Sequence, residues 1–468
     1  MVFSSLTFIF IFLPLFLLSY YLSTQKIKNF CVLIFSLAFY AYGAIEQPFY
    51  ILLIILSIII NYLLGLCIDK YSKYRKVFFL SGLFYNFGYL FVFKYTDFFA
   101  ENINRILNLL APETAFQLPL ANLILPIGIS FYTFQAASYL IDIYQKRMTP
   151  EKSLLKVAIY ILLFPQLIAG PIVRYPDIAK ELNERKHTIN TFLTGIKLFI
   201  IGLGLKVILA NQIGNLWRDI QAIGYESISV PLAWMGIIAF SMQIYFDFFG
   251  YSLMAMGLGQ MIGFHLPKNF DTPYVSLSMT EFWRRWHITL GNWFKEYVYI
   301  PLGGNRKGTV RTFLNLLVVW LLTGFWHGAS WNFVLWGLFL YLLIAGEKIG
   351  LGKILYRFPV FGHLYMLLMI PLSWLLFAVD NLDQLAIYAG RLFNIGGEYI
   401  YALDYIKYGK TYGVLLIIGF ICCTRIPVKI YNKIQNHYIM IPILAGIFAL
   451  SVFCLYKGFN DPFLYFRF

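Results

Sequence analysis

An all-α polytopic membrane protein is the fold class that this sequence predicts, on three observations. Of its 468 residues, 60% are hydrophobic and 13% are charged, whereas soluble domains average about 25% charged and about 45–50% apolar. Apolar runs of span length recur from one end of the chain to the other. The basic residues behind the net charge of +15 lie in short clusters between those runs. That distribution excludes a nucleic-acid-binding domain and is the pattern of topology signals.

A helix needs about 20 apolar residues to cross about 30 Å of hydrocarbon. Twelve runs qualify: 3–22, 29–44, 48–66, 77–94, 118–141, 189–211, 229–258, 312–328, 330–346, 358–379, 410–426 and 438–456. The first lacks a charged start and a small-residue cleavage site, so it is expected to stay as a span. Two further segments, 154–171 and 286–302, are apolar but broken, the first by Pro165 and Gly170-Pro171 and the second by charges. They are expected to be re-entrant or interfacial. Non-helical backbone at membrane depth is tolerated only where protein buries it or it lines a cavity, so a cavity is expected. With the N-terminus outside, most of the 37 lysines and arginines fall in inside loops, 268–311 holding the most. Both termini are therefore expected on the extracytoplasmic side. Long outer loops are expected near 95–117 and 380–409, and neither is large enough for a catalytic domain. The cysteines Cys31, Cys67, Cys422, Cys423 and Cys454 sit in or beside apolar runs with no metal-ligand spacing, and read as buried small hydrophobes.

The informative residues in such a chain are the polar ones inside apolar runs, since an intramembrane ionisable group is costly and marks function by default. Asp247 and, one turn earlier, Gln243 lie in the 229–258 run. They either line a substrate path or order the bundle through helix–helix hydrogen bonds. The stretch from Glu281-Phe-Trp-Arg-Arg-Trp-His287 to Asn305 alternates charges with aromatics. Arg284 and Arg285 either meet anionic headgroups or bind phosphates of a cytoplasmic donor. His287, at the start of the apolar part, is placed to take or give a proton. His327 ends one apolar run just before the next, flanked by Trp326 and Gly328. The chain must turn sharply there, with Gly324 and Gly328 permitting close packing. His327 is either a satisfied core histidine or a general base, and the company of the other two clusters favours the base. No nucleophile elbow, zinc motif or phosphate-binding loop is present, which leaves direct transfer of an acyl group to a hydroxyl activated by a histidine.

The residues also carry a resemblance. Met1-Val-Phe-Ser-Ser5, Leu125-Pro-Ile-Gly-Ile-Ser-Phe-Tyr-Thr-Phe134, Phe164-Pro-Gln-Leu-Ile-Ala-Gly-Pro171, Tyr245-Phe-Asp-Phe248, Gly250-Tyr-Ser252, Glu281–His287, Gly303-Gly-Asn-Arg306 and Trp326-His-Gly328 form an ordered set. Beyond residue 350 only topology and the closing Pro462-Phe-Leu-Tyr-Phe-Arg-Phe468 add to it. The set resembles the membrane-bound O-acyltransferase family, and within it the membrane subunits that serve alginate O-acetylation. The resemblance implies a ring of about 11–12 tilted helices around a tunnel. It implies a single domain over 1–468, with a core at about 118–346 and a helical extension at about 350–468. It implies that His327 is the catalytic histidine and His287 the second histidine of the motif. Asp247, Gln243, Tyr245, Asn305 and Trp326 would line the tunnel, with Arg284 and Arg285 at the donor. Phe249 stands where relatives often carry a small residue. No bound cofactor or metal is implied. The donor would be acetyl-CoA, and an extracytoplasmic partner enzyme would pass acetyl to alginate or another polysaccharide, from a bacterial cytoplasmic membrane. The alternatives are D-alanyl transfer to teichoic acid from a carrier protein, and a non-enzymatic transporter, which the lack of an internal repeat disfavours.

Overall fold

The computed structural model describes residues 2–110, 116–395, 402–458 and 464. Met1 of the opening motif and all of the closing segment 462–468 except Leu464 lie outside the described residues. So do 111–115 and 396–401, which belong to the two expected outer loops. Among the described residues the regular structure is helical throughout. Among the described residues, seven helices are long and apolar enough to cross a membrane. An eighth is added if the pair Asp404–Cys422 and Ile426–Ile434, bent by 69°, is one broken span. Phe8–Leu22, Lys28–Gly43 and Met440–Tyr456 are shorter apolar helices. Large apolar side chains such as Phe84, Leu322 and Val414 stand exposed on these helices, a surface that only lipid covers without cost. The chain is a multi-pass membrane protein.

The chain folds as two compact units, the first comprising Phe10–Phe192 with Gly259–Leu266, the second Val2–Ile9, Leu193–Leu258 and Pro267–Phe468. In the first unit the expected span 118–141 is helical only from Ile129 to Tyr144. Pro119 and Pro126 account for the difference, because proline removes a backbone donor and drives the residue before it out of helical geometry. Gly128, with φ +72°, makes the left-handed entry to the helix. Its added Cβ would lie 2.5 Å from the carbonyl oxygen of Leu167, so the entry requires glycine. The expected loop after residue 94 is largely helix, since Arg75–Leu110 runs unbroken for 36 residues. The apolar positions Phe98, Phe99, Ile103 and Ile106 keep helical spacing past Lys94. The broken segment 154–171 is broken in the structure too. Leu154–Leu162 stops at Leu163, and Phe164–Leu167 restarts with Pro165 in its first turn.

The second unit carries the polar residues of interest. Val230–Met261 is the most enclosed apolar helix, with 78% of its apolar window buried against at most 44% for the other spans. Thr309–His327 and Trp331–Gly346 pack as a pair. An added Cβ on Gly324 would stand 2.2 Å from the Phe333 carbonyl oxygen, and one on Gly337 2.4 Å from that of Trp320. The two backbones therefore touch at small residues, as membrane helices do when lipid removes any hydrophobic drive between them. The segment 268–311 contains no span. It holds the short helices Met279–Arg285 and Ile288–Phe294 and a wide turn over Lys295–Tyr299.

Candidate active site

The short helix Met279–Arg285 is fixed at its start by three acceptors. Ser278 Oγ accepts from the Glu281 amide at 3.1 Å. The carboxylate of Glu347 accepts from the amides of Met279 and Thr280 at 2.6 and 2.9 Å, and from the Thr280 hydroxyl at 2.6 Å. These satisfy amides that a helix start leaves without partners, and the negative charge suits the positive end of the helix. The last turn then directs its two arginines apart. Arg285 is held by Glu281 at 2.8 Å and by Asp271 at 3.4 Å. Arg284 lines a cavity of about 830 Å³ whose wall also includes Lys295, Asn305, Arg306, Lys307 and Lys348. Tyr299 and the Gly303-Gly304 turn close it, with Gly303 at φ +108° and Gly304 at φ +56°. The sequence paired Arg284 with Arg285 as a donor site; the structure takes only Arg284 to the cavity.

A second cavity, of about 490 Å³, shares Thr280, Arg284, Lys295, Leu316 and Ile344 with the first and is lined further by Trp283, His287, Trp320 and Thr323. His287 sits between the two short helices with φ +44°, a conformation that a non-glycine residue keeps only where its surroundings enforce it. The enforcing residue is Asn269. Its backbone carbonyl accepts from the Ile288 amide at 3.0 Å. Its side-chain Oδ1 accepts from the Thr289 amide at 3.2 Å and the Thr289 hydroxyl at 3.0 Å, and lies 3.2 Å from His287 Nδ1. Because the Thr289 amide can only donate, Oδ1 is the acceptor atom, so His287 Nδ1 carries the hydrogen and Nε2 the lone pair. Burial pushes the ring down to about 3, so the imidazole is neutral at physiological pH.

Trp326 stands between the two histidines, its ring 6.2 Å from that of His287 and 4.9 Å from that of His327. His327 ends the Thr309–His327 helix one turn beyond the cavity-lining Thr323, which puts both on one helix face. Its buried ring meets those of Trp336 and Phe377 edge-on at 5.1 and 5.3 Å. Trp283 Nε1, on the cavity wall, has no acceptor among the described residues. Such a donor suits the oxygen of a carbonyl group entering the cavity.

The chain is also similar in sequence to known proteins. The profile of the membrane-bound O-acyltransferase family matches residues 150–366. A probable alginate O-acetylase of Pseudomonas putida is 38% identical over 400 residues, covering 85% of this chain and 81% of its own length. The chain belongs to the membrane-bound O-acyltransferase family. A peptidoglycan O-acetyltransferase of Helicobacter pylori is 35% identical over 82% of this chain and 78% of its own. A teichoic acid D-alanyltransferase of Bacillus subtilis is 28% identical over 47% of this chain and 58% of its own. As a family member this chain is a membrane O-acyltransferase. The cavities at Arg284, Asn305 and His287, together with Trp326 and His327, all fall inside the matched range.

Asp247, Gln243 and Tyr245, which the sequence placed beside them, line neither cavity. Asp247 forms an ion pair at 2.7 Å with Lys206, their side chains 2% and 3% exposed, and its second oxygen accepts from the Leu464 amide at 2.8 Å. Gln243 packs on Gly214, where an added Cβ would come within 2.2 Å of its amide. Tyr245 is enclosed by the rings of Phe249, Phe270, Tyr274 and Trp286. The Asp247–Lys206 pair joins two helices, Leu205–Ala210 and Val230–Met261. Residues missed are Asn269, Lys206, Lys295, Arg306, Lys307, Trp283 and Glu347. Lys206 had a signal, being with Lys197 one of two basic residues within the 189–211 run; Asn269, in a loop 18 positions from His287, had none. Lys206→Met should cost about 3–5 kcal/mol by stranding a buried carboxylate, seen as a lower melting temperature in detergent. Adding Asp247→Leu should restore most of the loss; equal stability of wild type and the single variant would contradict the pairing.

Proposed function

We propose that this O-acyltransferase takes acetyl from acetyl-CoA on the cytoplasmic side of a bacterial cytoplasmic membrane. It passes acetyl to an extracytoplasmic partner enzyme, which O-acetylates a polysaccharide. The observation that carries the reading is the pair of cavities with a shared wall, one cationic and one containing a neutral histidine of fixed tautomer. A donor with phosphates at one end and a thioester at the other has that polarity. Arg284, Arg306 and Lys307 would hold the phosphates, the guanidinium groups by forked hydrogen bonds. The acyl end would lie against Trp283, His287, Trp320 and Thr323. In the transfer, His327 accepts the proton of the acceptor hydroxyl as its oxygen attacks the thioester carbonyl. The carbon–sulfur bond breaks and the proton passes to the leaving thiolate. Trp283 Nε1–H would donate to the carbonyl oxygen as it gains charge.

Acetyl is favoured over D-alanyl because the relatives named for acetylation match this chain at higher identity and over more of its length. Basic loops, including 70–76 and 268–311, support the cytoplasmic placement of the donor cavity and the extracytoplasmic placement of both termini. The test is Arg284→Gln. It should raise KM for acetyl-CoA by roughly tenfold, with kcat changed far less, because a phosphate contact remote from the thioester contributes equally to ground and transition states. Arg284→Lys should recover part of the loss. An unchanged KM in Arg284→Gln would remove the phosphates from this cavity.

A further inference from the structure

The first unit contains a cluster of basic side chains that no acid among the described residues answers. Tyr20 and Tyr21 end the helix Leu13–Leu22, and Lys28 begins the helix Lys28–Gly43. The Lys28 ammonium stands over both rings, 5.0 Å from the centre of Tyr20 and 5.6 Å from that of Tyr21. Arg185 Nε donates to the Tyr20 hydroxyl oxygen at 3.0 Å, and its guanidinium lies 4.8 Å from the Phe264 ring centre. The Tyr20 hydroxyl gives its hydrogen to the Ile262 carbonyl at 2.8 Å. His187 Nε2, at 3.3 Å, therefore acts as a donor toward that oxygen. Burial, and then Lys28 and Arg185, hold the His187 ring below the ordinary imidazole value. Among the described residues no carboxylate lies within ion-pair distance of Lys28, Arg185 or His187. The nearby Glu181 spends its carboxylate on the His265 ring and backbone amide, at 2.6 and 3.0 Å.

Two half-buried permanent cations and an imidazole around one hydroxyl repel each other, and the three N–H groups of Lys28 meet no acceptor among the described residues. The aromatic faces of Tyr20, Tyr21 and Phe264 stabilise the cations but leave their charge uncompensated. We propose that Lys28, Arg185 and His187 form a binding site for an anionic phosphate group, carried by a lipid headgroup or by a free phosphate ester. The site lies where two apolar helices meet their connecting turn, flanked by the exposed Lys26 and Lys186, the setting in which basic residues engage the anionic leaflet.

Native mass spectrometry of the purified full chain tests this, with phosphatidylglycerol, phosphatidylcholine and glycerol 3-phosphate as probes. Wild type should hold phosphatidylglycerol roughly tenfold more tightly than phosphatidylcholine, and Lys28→Gln with Arg185→Gln should abolish that preference. Displacement of phosphatidylglycerol by millimolar glycerol 3-phosphate assigns the site to a free phosphate ester. Retention of the lipid assigns it to a headgroup anchored by its tails. Arg185→Gln removes bonds to the Tyr20 hydroxyl and the Glu181 carbonyl and is checked for folding by its melting temperature. Lys28→Gln removes no hydrogen bond, and alone should weaken phosphatidylglycerol about fivefold. An undiminished preference for phosphatidylglycerol in Lys28→Gln, or no preference in wild type, overturns the proposal.

Discussion

Replacing His327 by alanine is expected to reduce acyl transfer by about 10²–10⁴-fold, the range that a positioned general base supplies. The chain should still insert. The ring ends a helix anchored at Gly324 and Gly337 by backbone contact, and that contact does not depend on the imidazole. Alanine does open space beside Trp336 and Phe377, so a modest fall in melting temperature should accompany it. His327→Gln fills most of that space without supplying a base. It separates the two effects: stability should return toward wild type while transfer stays low. The measurement is the rate of acetyl transfer beside thermal unfolding for both variants. Transfer near the wild-type rate in either would make His327 a core residue.

Loss of the Asn269 side chain is expected to lower kcat by roughly 10–100-fold with a smaller change in KM, by analogy with the range found for partners that orient metal-bound imidazoles. Asn269 holds three things at once: the backbone at residue 287, the hydroxyl of Thr289 and the hydrogen on His287 Nδ1. In Asn269→Ala the ring is free to exchange tautomers. Asn269→Asp keeps an acceptor at the same place and should recover part of the activity, which a purely steric role would not produce. Wild type should show no His287 limb near pH 6.5 in its rate profile, because burial keeps the ring neutral down to about 3. The folded value lies below the unfolded one, so between them the unfolded chain binds the extra proton. Stability from this group is complete above about pH 6.5 and declines as pH falls below it. A rate limb near 6.5 in wild type, absent from His287→Gln, would contradict the buried neutral ring.

Much of this was legible because lipid imposes strong rules. Long apolar runs gave the spans at 48–66, 229–258, 312–328 and 358–379 within a few residues, since a backbone in hydrocarbon must satisfy itself by helix. The same runs misled where proline intervened, as at 118–128, because hydropathy reports burial and not backbone geometry. His287, Arg284, Asn305 and Trp326 were visible as polar or amphipathic residues in costly places, and the structure gathers the first three around two cavities with a shared wall. Asp247 was visible for the same reason, yet its partner is Lys206. Cost alone does not distinguish a substrate path from a buried ion pair. Asn269 was hidden because a loop amide is cheap anywhere, and only the approach of residues 287–289 makes it informative.

Donor turnover tests the central claim most directly. The purified full chain, its His327→Ala variant and its Arg284→Gln variant would be given acetyl-CoA with the acetyl group labelled, and an acceptor hydroxyl. Free CoA and the label would be followed together. The expected result is CoA release in step with label transfer by wild type, loss of both in His327→Ala at every donor concentration, and recovery of Arg284→Gln as the donor is raised. Release that proceeds equally in wild type and His327→Ala, or no release from folded wild type at any donor concentration, would contradict acetyl transfer from CoA at this site.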